Sequence, residues 1–282
     1  MSKIVLVTDS TCGIPADLVK KYDIKVAPQV LVWSDKSYRD GVDIQTDEFY
    51  KRLKTDSAMP TTSQATIGEF KNIYTQIVEE GNQALTVVLS NKLSGTMDSA
   101  LQARDLLPGA KIEIVDSHMV AMALGFLVLH AARAIEQGAS LAEAKALVEN
   151  ARANVGVVFA VDTLEFLHRG GRIGGASRFL GTVLNFKPIL EVRNGKVEAV
   201  ERVRTRKKSL QRVVELVETQ IAGRKPVRLA TLHAAAHADA QELLDMASAR
   251  IDAVESIFSE VSPVIGTHAG PGTVGLVYMA GM

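Results

Sequence analysis

The stretch "ALTVVLSNKLSGTMDSALQARDLL", residues 84–107, decides the fold. An apolar run rich in valine ends at Ser90, a short polar loop follows, and from Thr96 onward the spacing is helical. A strand, a loop and a helix in this order are typical of a parallel sheet covered by helices. The loop offers backbone N–H groups, a glycine (Gly95) and the hydroxyls of Ser94 and Thr96, a combination that suits an anion. The stretch therefore predicts an α/β fold with an anion site above this strand.

Strands and helices alternate through the first half of the chain, in the order expected of a parallel sheet. Capping boxes, in which a hydroxyl and a glutamate three residues later satisfy the first free N–H groups of a helix, mark two helix starts. They are formed by Thr66 with Glu69, before a helix over about 67–80, and by Ser140 with Glu143. We expect the segment "PTTSQAT" (60–66), in front of the first of these helices, to be a loop. The other strand-like runs are "KIVLVTDS" (3–10), "KVAPQVLVW" (25–33) and "KIEIVDS" (111–117). We therefore expect residues 1–155 to form a three-layer α/β/α domain around a parallel sheet.

After about residue 156 the pattern changes to α+β. Two strand-like runs flank Asn194-Gly195, the strongest short signal for a β-hairpin, so this half contains at least one antiparallel pair. The segments "DTLEFLHRGGRIGG" (162–175) and "ASRFLGTVLNF" (176–186) look helical with a glycine-rich break. We expect residues 156–282 to form a two-layer α/β domain with a mixed sheet.

Composition excludes several classes of protein. The 282 residues carry 32 basic and 32 acidic side chains, and this zero net charge argues against a general nucleic-acid or membrane-surface binder. The single cysteine, Cys12, forms no internal disulfide, which fits a reducing cytoplasm. The N-terminus has no signal-peptide pattern, and the most apolar run, "MVAMALGFLVLHAARA" (119–134), is too short to span a membrane. We expect a cytoplasmic protein with a buried helix over this run.

Several short polar side chains follow the predicted strands, where ligands bind in open α/β sheets. Asp9 and Asp116 at strand ends suit Mg²⁺, but such aspartates more often cap turns. The pair His233 and His237 has metal-ligand spacing but spans a strand end and a loop, so no metal site is predicted. The glycine-rich "GGRIGG" (170–175) follows a helical stretch and is not a dinucleotide fingerprint. The sequence also has no Walker loop and no G-x-S-x-G motif.

Two further features lie in the second half. His268 lies in "HAGPGTVG" (268–275), a segment rich in glycine and proline that predicts a loop before the last strand. We do not expect a histidine in such a loop to be a structural core residue. Arg202, Arg204 and Arg206 alternate and would share one face of a strand. That face is either a solvated edge that blocks sheet aggregation or a surface for a partner.

An ordered set of motifs resembles the DegV family, whose members include the fatty-acid-binding subunits of bacterial fatty acid kinase. The resemblance runs from Lys3 almost to the C-terminus. Two positions depart from the family pattern: Ala65 stands where proline is usual, and Met97 where an aromatic residue is usual. Both are expected to reshape the pocket. The motifs are "VTDSTCGIP", "PTTSQ", "KLSGTMDSA", "IVDS", "DTLEFLHRGGRI", "FKPIL" followed by "NGKV", "RVRTRKKSL" and "HAGPGTVG".

The resemblance implies two domains with an acyl chain buried between them. Its carboxylate would be held by Thr62, Ser94 and His268, with Thr96 and Ser63 beside them. Met97, Met122, Gly125 and Phe126 are candidates for the acyl-chain pocket. Gly125 has an alternative interpretation, because a glycine on an apolar helix face also permits close packing of helix and sheet.

The resemblance also implies how the protein works. Arg169, Arg172, Arg202 and Arg204 would dock a separate, ATP-dependent kinase that phosphorylates the bound carboxylate. The acyl phosphate would then pass to acceptor enzymes at the membrane for phospholipid synthesis. The chain itself would be a lipid-binding subunit without catalytic residues, metal or cofactor. The alternative is a metal- or phosphate-dependent enzyme that uses Asp9, Asp116 and the Ser94 loop.

Overall fold

The computed structural model describes residues 2–181 and 186–282. Its strands are β1 (Ile4–Asp9), β2 (Lys25–Ala27), β3 (Val30–Trp33), β4 (Lys36–Arg39), β5 (Thr61–Ser63), β6 (Gln83–Val88), β7 (Ile112–Asp116), β8 (Val155–Ala160), β9 (Lys187–Arg193), β10 (Lys196–Val203), β11 (Val227–His233), β12 (Glu255–Ile257) and β13 (Val274–Ala280). Its α-helices are α1 (Ala16–Lys21), α2 (Thr46–Thr55), α3 (Ile67–Glu79), α4 (Thr96–Asp105), α5 (Met122–Glu136), α6 (Leu141–Ala151), α7 (Glu165–Arg169), α8 (Arg206–Ile221), α9 (His237–Ser248) and α10 (Pro263–Ala269).

The first sheet is parallel and has the strand order β2-β1-β6-β7. Helices α3 and α4 cover one face, and α5 and α6 cover the other. Neighbouring residues of β1 point to opposite faces: Val5 and Val7 pack under α3, whereas Leu6 packs on the side of α5. Burial on both faces explains why these strands are almost continuously apolar, and the predicted α/β/α arrangement is confirmed.

The second sheet is mixed, with the order β10-β9-β8-β13-β11-β12. Its pairs are antiparallel except β11 with β12. Val158 and Ala160 of β8 face the core under α8 and α9, whereas Val157 and Phe159 face the core that contains α5. The predicted mixed sheet is thus confirmed, including the hairpin at Asn194-Gly195, where Arg193 pairs with Lys196.

Helix α5 lies between the two sheets and contacts strands of both. Ten of its fifteen residues are buried, so the helix is apolar around most of its circumference. Gly125 allows the closest approach: a Cβ atom there would lie 2.6 Å from the carbonyl oxygen of Cys12, in the turn after β1. The glycine therefore serves close packing, the second of its two interpretations. Among the described residues, no helix is both long and apolar enough to cross a membrane.

Four local predictions need correction. The run 25–33 is not one strand: Pro28 interrupts it, since proline donates no hydrogen bond, and β2 and β3 join different sheets. The segment around Thr62, expected as a loop, is strand β5 of a small antiparallel sheet with the order β4-β3-β5. His268 lies in the last turn of α10. Arg206 begins α8, so Arg202 and Arg206 do not share a strand.

Other local predictions agree with the structure or lie partly outside it. Thr66 caps α3 and Ser140 caps α6, the latter through a complete capping box. A 3₁₀ helix, Gly174–Phe179, begins in the glycine-rich break and includes the first four residues of the segment 176–186. Residues 182–185 of that segment lie outside the described residues. The division into domains at residue 155 stays a prediction. One hydrophobic core contains α5 together with residues from both sides of this division.

Candidate ligand-binding cavity

A cavity lies where the carboxyl ends of β1 and β6, the start of α5 and the inner face of the mixed sheet meet. The space that it encloses, including the part open to solvent, is about 810 Å³. We call it the apolar cavity, because most of its lining is hydrocarbon. It is lined by Thr11, Gln29, Thr62, Ser63, Leu89, Leu93, Ser94, Val120, Ala121, Val157, Phe159, Leu167, Arg172, Val192, Val197, Leu232, Val264, Ile265, His268 and Ala269.

The polar groups of the lining include a hydroxyl–imidazole pair. Thr62 Oγ1 on β5 lies 2.7 Å from His268 Nε2 on α10. Burial, reinforced by the positive charge of Arg172, lowers the pKa of His268 to about 4. The ring is therefore neutral at pH 7 and carries one proton. If that proton is on Nε2 and is donated to Thr62, the Thr62 hydroxyl is left to donate its own proton to a ligand.

A second chain of hydrogen bonds ends at Ser94. Gln29, which is buried, donates from Nε2 to Thr96 Oγ1 (2.8 Å), and Thr96 Oγ1 lies 2.9 Å from Ser94 Oγ. The backbone N–H of Ala65 donates to Gln29 Oε1 (3.1 Å) and so fixes which end of the amide faces Thr96. Thr96 Oγ1 also lies 3.2 Å from Gln29 Oε1. If Thr96 accepts from Gln29 Nε2 and donates to Ser94, the Ser94 hydroxyl is left to donate its own proton to a ligand.

The departure from the family pattern at Ala65 therefore has a defined consequence. A proline at this position would have no N–H group to donate to Gln29. In this chain the donor is present, and Gln29 and Thr96 form a buried network with it.

The loop that carries Ser94 is held by the mixed sheet. Ser90 Oγ donates to the carbonyl of Gly195 (2.9 Å), and Lys92 Nζ donates to that of Asn194 (3.0 Å), both in the turn of the β9–β10 hairpin. A Cβ atom at Gly195 would lie 2.4 Å from Ser90 Oγ, so this close approach requires glycine. The hairpin thus positions the loop across the cavity.

The predicted carboxylate-binding residues lie close together. Thr62, Ser63, Ser94 and His268 all line the apolar cavity, and Thr96 lies behind Ser94 and bonds to it. The assignment of a carboxylate to these groups stays a prediction, because the structure contains no ligand.

The four predicted acyl-chain residues lie elsewhere and do not line this cavity. Met97 packs against the core on the far side of the parallel sheet. Met122 and Phe126 belong to the core between the sheets, and Gly125 faces the turn after β1. The sequence predicted that α5 is buried. The spacing of its apolar residues does not show which part of the helix lies beside a cavity. The residues that reach the cavity are Val120 and Ala121, just before the helix.

The four arginines expected at a docking surface are in different environments. Arg172 lines the cavity, and its Nε and Nη1 donate to the carbonyls of Leu93 (3.0 Å) and Gly170 (2.7 Å). Arg169 is exposed and pairs with Glu165. Arg202, in β10, and Arg204, just after it, are also exposed and do not line this cavity.

The aspartates at the strand ends cap turns, the interpretation that the sequence favoured. Asp9 accepts from the N–H groups of Thr11 (3.0 Å) and Leu89 (2.8 Å), and burial raises the pKa of its carboxyl. Asp116 accepts from the N–H of His118 (2.8 Å). Within residues 2–181 and 186–282, no group of three His, Cys, Asp or Glu side chains is placed to hold a metal ion.

Sequence reasoning missed two kinds of cavity residue. Gln29 belongs to no recognisable binding motif, and the signal there was the proline before it, which breaks the strand. The apolar wall is formed by single residues of separate strands, such as Val157, Val192 and Leu232. Because these residues are far apart in the sequence, no short motif predicts them.

A family model described as the DegV family of uncharacterised proteins matches residues 3–281. The chain belongs to the DegV family. Curated DegV relatives include a DegV domain-containing protein of Streptomyces coelicolor, 37% identical over 276 residues, which are 97% of each chain. The protein DegV of Bacillus subtilis is 35% identical over 277 residues, 98% of each chain.

Solved DegV structures share the whole fold. A fatty-acid-binding DegV family protein of Thermus thermophilus superposes with a TM-score of 0.93 at 36% identity, covering 99% of each chain. DegV of Bacillus subtilis, described as a fatty acid binding protein, has a TM-score of 0.90 at 33% identity over 99% of this chain and all of its own. The family resemblance read from the motifs is confirmed.

The protonation of His268 gives a direct test of the site. Its folded pKa of about 4 lies below the ordinary 6.5, so between these values the unfolded chain binds a proton that the folded chain does not. This residue therefore reduces stability as the pH falls through that window. Imidazole NMR signals, assigned with a His268→Asn variant, should keep neutral-ring shifts down to pH 5. A titration midpoint near 6.5 would contradict this description.

The buried network of Gln29 predicts a second outcome. Gln29→Met keeps the length of the side chain but removes the partners of Ala65 N–H and Thr96, which should lower the free energy of unfolding by about 1–3 kcal/mol. Gln102→Met, at an exposed position of α4, is the matched control and should change it by less than about 0.5 kcal/mol. Urea unfolding at pH 7 measures both, and equal midpoints would refute the network.

Proposed function

We propose that this chain binds a long-chain fatty acid in the apolar cavity, with the carboxylate at Thr62, Ser94 and His268. The observation that carries the proposal is one cavity with a hydrocarbon wall and two hydroxyl donors, each backed by its own hydrogen-bond partner. With a domain division at residue 155, the cavity would lie between the two domains. The solved relatives described as fatty-acid-binding support the same ligand class.

The energetics favour such a ligand. A fatty acid of about 16 carbons buries about 14 methylene groups, which contribute roughly 0.8 kcal/mol each, or about 11 kcal/mol in total. Loss of translational freedom and ordering of the chain oppose this by several kcal/mol. A dissociation constant of about 1 μM requires about 8 kcal/mol, so micromolar or tighter binding is reasonable.

A buried carboxylate needs donors, and the polar end supplies them. The hydroxyls of Thr62 and Ser94 can each accept from their own partner and donate to the carboxylate, and each charge-assisted hydrogen bond contributes about 1.5–3 kcal/mol. Arg172 adds a nearby positive charge that is held in place by two carbonyl groups. His268 remains neutral, so the site attracts the carboxylate without locking it in an ion pair with a histidine.

We also propose that the chain is a substrate subunit and not itself an enzyme. The sequence has no Walker loop to hold a nucleotide, so a separate ATP-dependent kinase chain would supply the phosphate. A carboxylate oxygen would attack the terminal phosphorus of ATP, forming an O–P bond while the bond to the ADP leaving group breaks. The acyl phosphate would then pass to acceptor enzymes at the membrane for phospholipid synthesis.

Lipid analysis and titration test the proposal. Protein purified from a bacterial host and denatured should release a long-chain fatty acid, detected by mass spectrometry. After delipidation, Ser94→Ala and Thr62→Ala should each weaken hexadecanoate binding by about 1–3 kcal/mol, about 5- to 150-fold. Thr219→Ala removes an exposed hydroxyl of α8 and is the control. Protein that releases no lipid and takes up none when offered would refute the function.

The docking role of the exposed arginines is tested by a kinase assay beside the binding titration. Arg204→Ala should leave hexadecanoate affinity unchanged but lower the rate of acyl-phosphate formation with a fatty acid kinase. An unchanged rate would return Arg204 to the alternative of a solvated sheet edge.

A further inference from the structure

An open cleft lies between α2, the start of α9 and the segment that follows β12. It encloses about 1040 Å³, including the part open to solvent, and we call it the histidine cleft. It shares no lining residue with the apolar cavity. Leu232 lines the apolar cavity and His233 lines the cleft, because successive residues of a strand point to opposite faces. The cleft is lined by Asp47, Tyr50, Lys51, Lys54, His233, Ala235, His237, Phe258 and Glu260.

Two buried side chains of this lining have polar atoms without a partner. His233 is 3% exposed, and Tyr50 is 5% exposed. Neither His233 Nδ1 nor the Tyr50 hydroxyl has a hydrogen-bond partner within residues 2–181 and 186–282. Buried polar groups in native proteins are in large majority hydrogen-bonded to the protein, to water or to a ligand. A molecule in the cleft can therefore form hydrogen bonds with two groups that are already held in place.

The cleft also contains two carboxylates, and the neighbouring histidine does not compensate their charge. Glu260 Oε1 lies 3.6 Å from His233 Nδ1, too far for a hydrogen bond. Burial lowers the pKa of His233 to about 4, and His237 adds to this shift, so the His233 ring is neutral at pH 7. Burial raises the pKa of the Glu260 carboxyl, and the negative charge of Asp47 raises it further. A positively charged group beside Glu260 would offset both effects.

Aromatic rings line the cleft beside the carboxylates. The ring centroid of Phe258 lies 5.2 Å from that of His233 and 4.7 Å from that of His237. Aromatic faces attract organic ammonium groups. A metal ion is a poorer match, since no group of three His, Cys, Asp or Glu side chains in the described part of the chain is placed to hold one. A primary ammonium group has three N–H donors, which match the acceptors Glu260, His233 Nδ1 and the Tyr50 oxygen.

Positive charge lies at the exposed side of the cleft. Lys51 and Lys54, about one turn apart on α2, are exposed and belong to the lining. They would repel a simple cation, but they attract a ligand that carries an anionic group beside its ammonium group. Two lysines match the charge of a phosphate monoester, about −1.5 to −2 at pH 7, better than the single charge of a carboxylate.

We propose that the histidine cleft binds a small primary amine that carries a phosphate monoester. The ammonium group lies beside Glu260 and donates to His233 Nδ1, and the phosphate faces Lys51 and Lys54. The site does not rest on the proposed fatty-acid site, because no residue lines both. It also gives the pair His233 and His237 a role in the aromatic lining of a ligand site, in place of metal binding.

Calorimetric titration with phosphoethanolamine at pH 7.5 tests the site. Glu260→Gln should weaken binding about 10- to 100-fold, because the ammonium group loses its charged partner. Lys54→Gln should weaken it about 3- to 10-fold at low salt and less at high salt. Phosphocholine, whose quaternary ammonium group has no N–H to donate, should bind about 10-fold more weakly than phosphoethanolamine. Glu242→Gln, at an exposed position of α9 outside the cleft, is the matched control and should leave binding unchanged.

Circular dichroism shows whether each variant is folded, and Lys54→Gln, at an exposed position, decides the outcome if Glu260→Gln is not. Weaker phosphoethanolamine binding in the folded variants, with wild-type binding in Glu242→Gln, supports the proposal. Absence of binding to the wild type overturns it, as does equal affinity in the wild type and a folded Glu260→Gln or Lys54→Gln variant. Phosphocholine binding as tight as that of phosphoethanolamine overturns it too. Binding to vesicles that contain phosphatidylethanolamine, without binding of free phosphoethanolamine, would assign the cleft to a lipid headgroup and also overturn the proposal.

Discussion

The packing of helix α5 between two sheets is the contact on which the rest of the structure depends. A helix buried against both sheets must be apolar around most of its surface, as the segment 122–132 is. The close approach at Gly125 fixes α5 against the turn after β1. Because the helix begins at Met122, the space above its first turn is left to smaller groups, and the apolar cavity lies there, beside Val120 and Ala121. The cavity is thus a consequence of where the buried helix starts.

The polar end of the cavity depends on hydrogen bonds between distant segments. Thr62 and His268 are 206 positions apart in the chain, and Gln29 and Thr96 are 67 positions apart. Their hydrogen-bonded atoms are nevertheless separated by only 2.7 Å and 2.8 Å, respectively. In each pair, His268 or Gln29 can donate to the hydroxyl oxygen, which frees the hydroxyl proton for another acceptor. Neutral donors that are already oriented bind an anion without the cost of burying a second full charge. The guanidinium of Arg172 is half-buried in the lining, and two carbonyl groups hold it there.

Much of this fold could be predicted from the sequence. Strands that are buried on both faces are continuously apolar, and capping residues such as Ser140 mark where helices begin. The hydroxyl residues of the site were identified through family motifs. Three features could not be predicted. Pro28 divides one apparent strand between two sheets, which brings Gln29 to the site. The cavity wall is built from single residues of separate strands. The position at which the N-terminal end of α5 meets the cavity depends on tertiary packing. For this reason the sequence did not show that Met122 and Phe126, expected as pocket residues, are absent from the cavity lining.

The central claim is that an acyl chain runs from Thr62 and Ser94 down the wall formed by the mixed sheet. A crystal structure of the delipidated protein with 12-bromododecanoate tests it most directly, because anomalous scattering locates the bromine without ambiguity. The account predicts a bromine peak against the strand residues Val157, Val192 or Leu232, and carboxylate oxygens within hydrogen-bonding distance of Thr62 and Ser94. A bromine peak outside the apolar cavity, or a carboxylate that contacts neither hydroxyl, would contradict it.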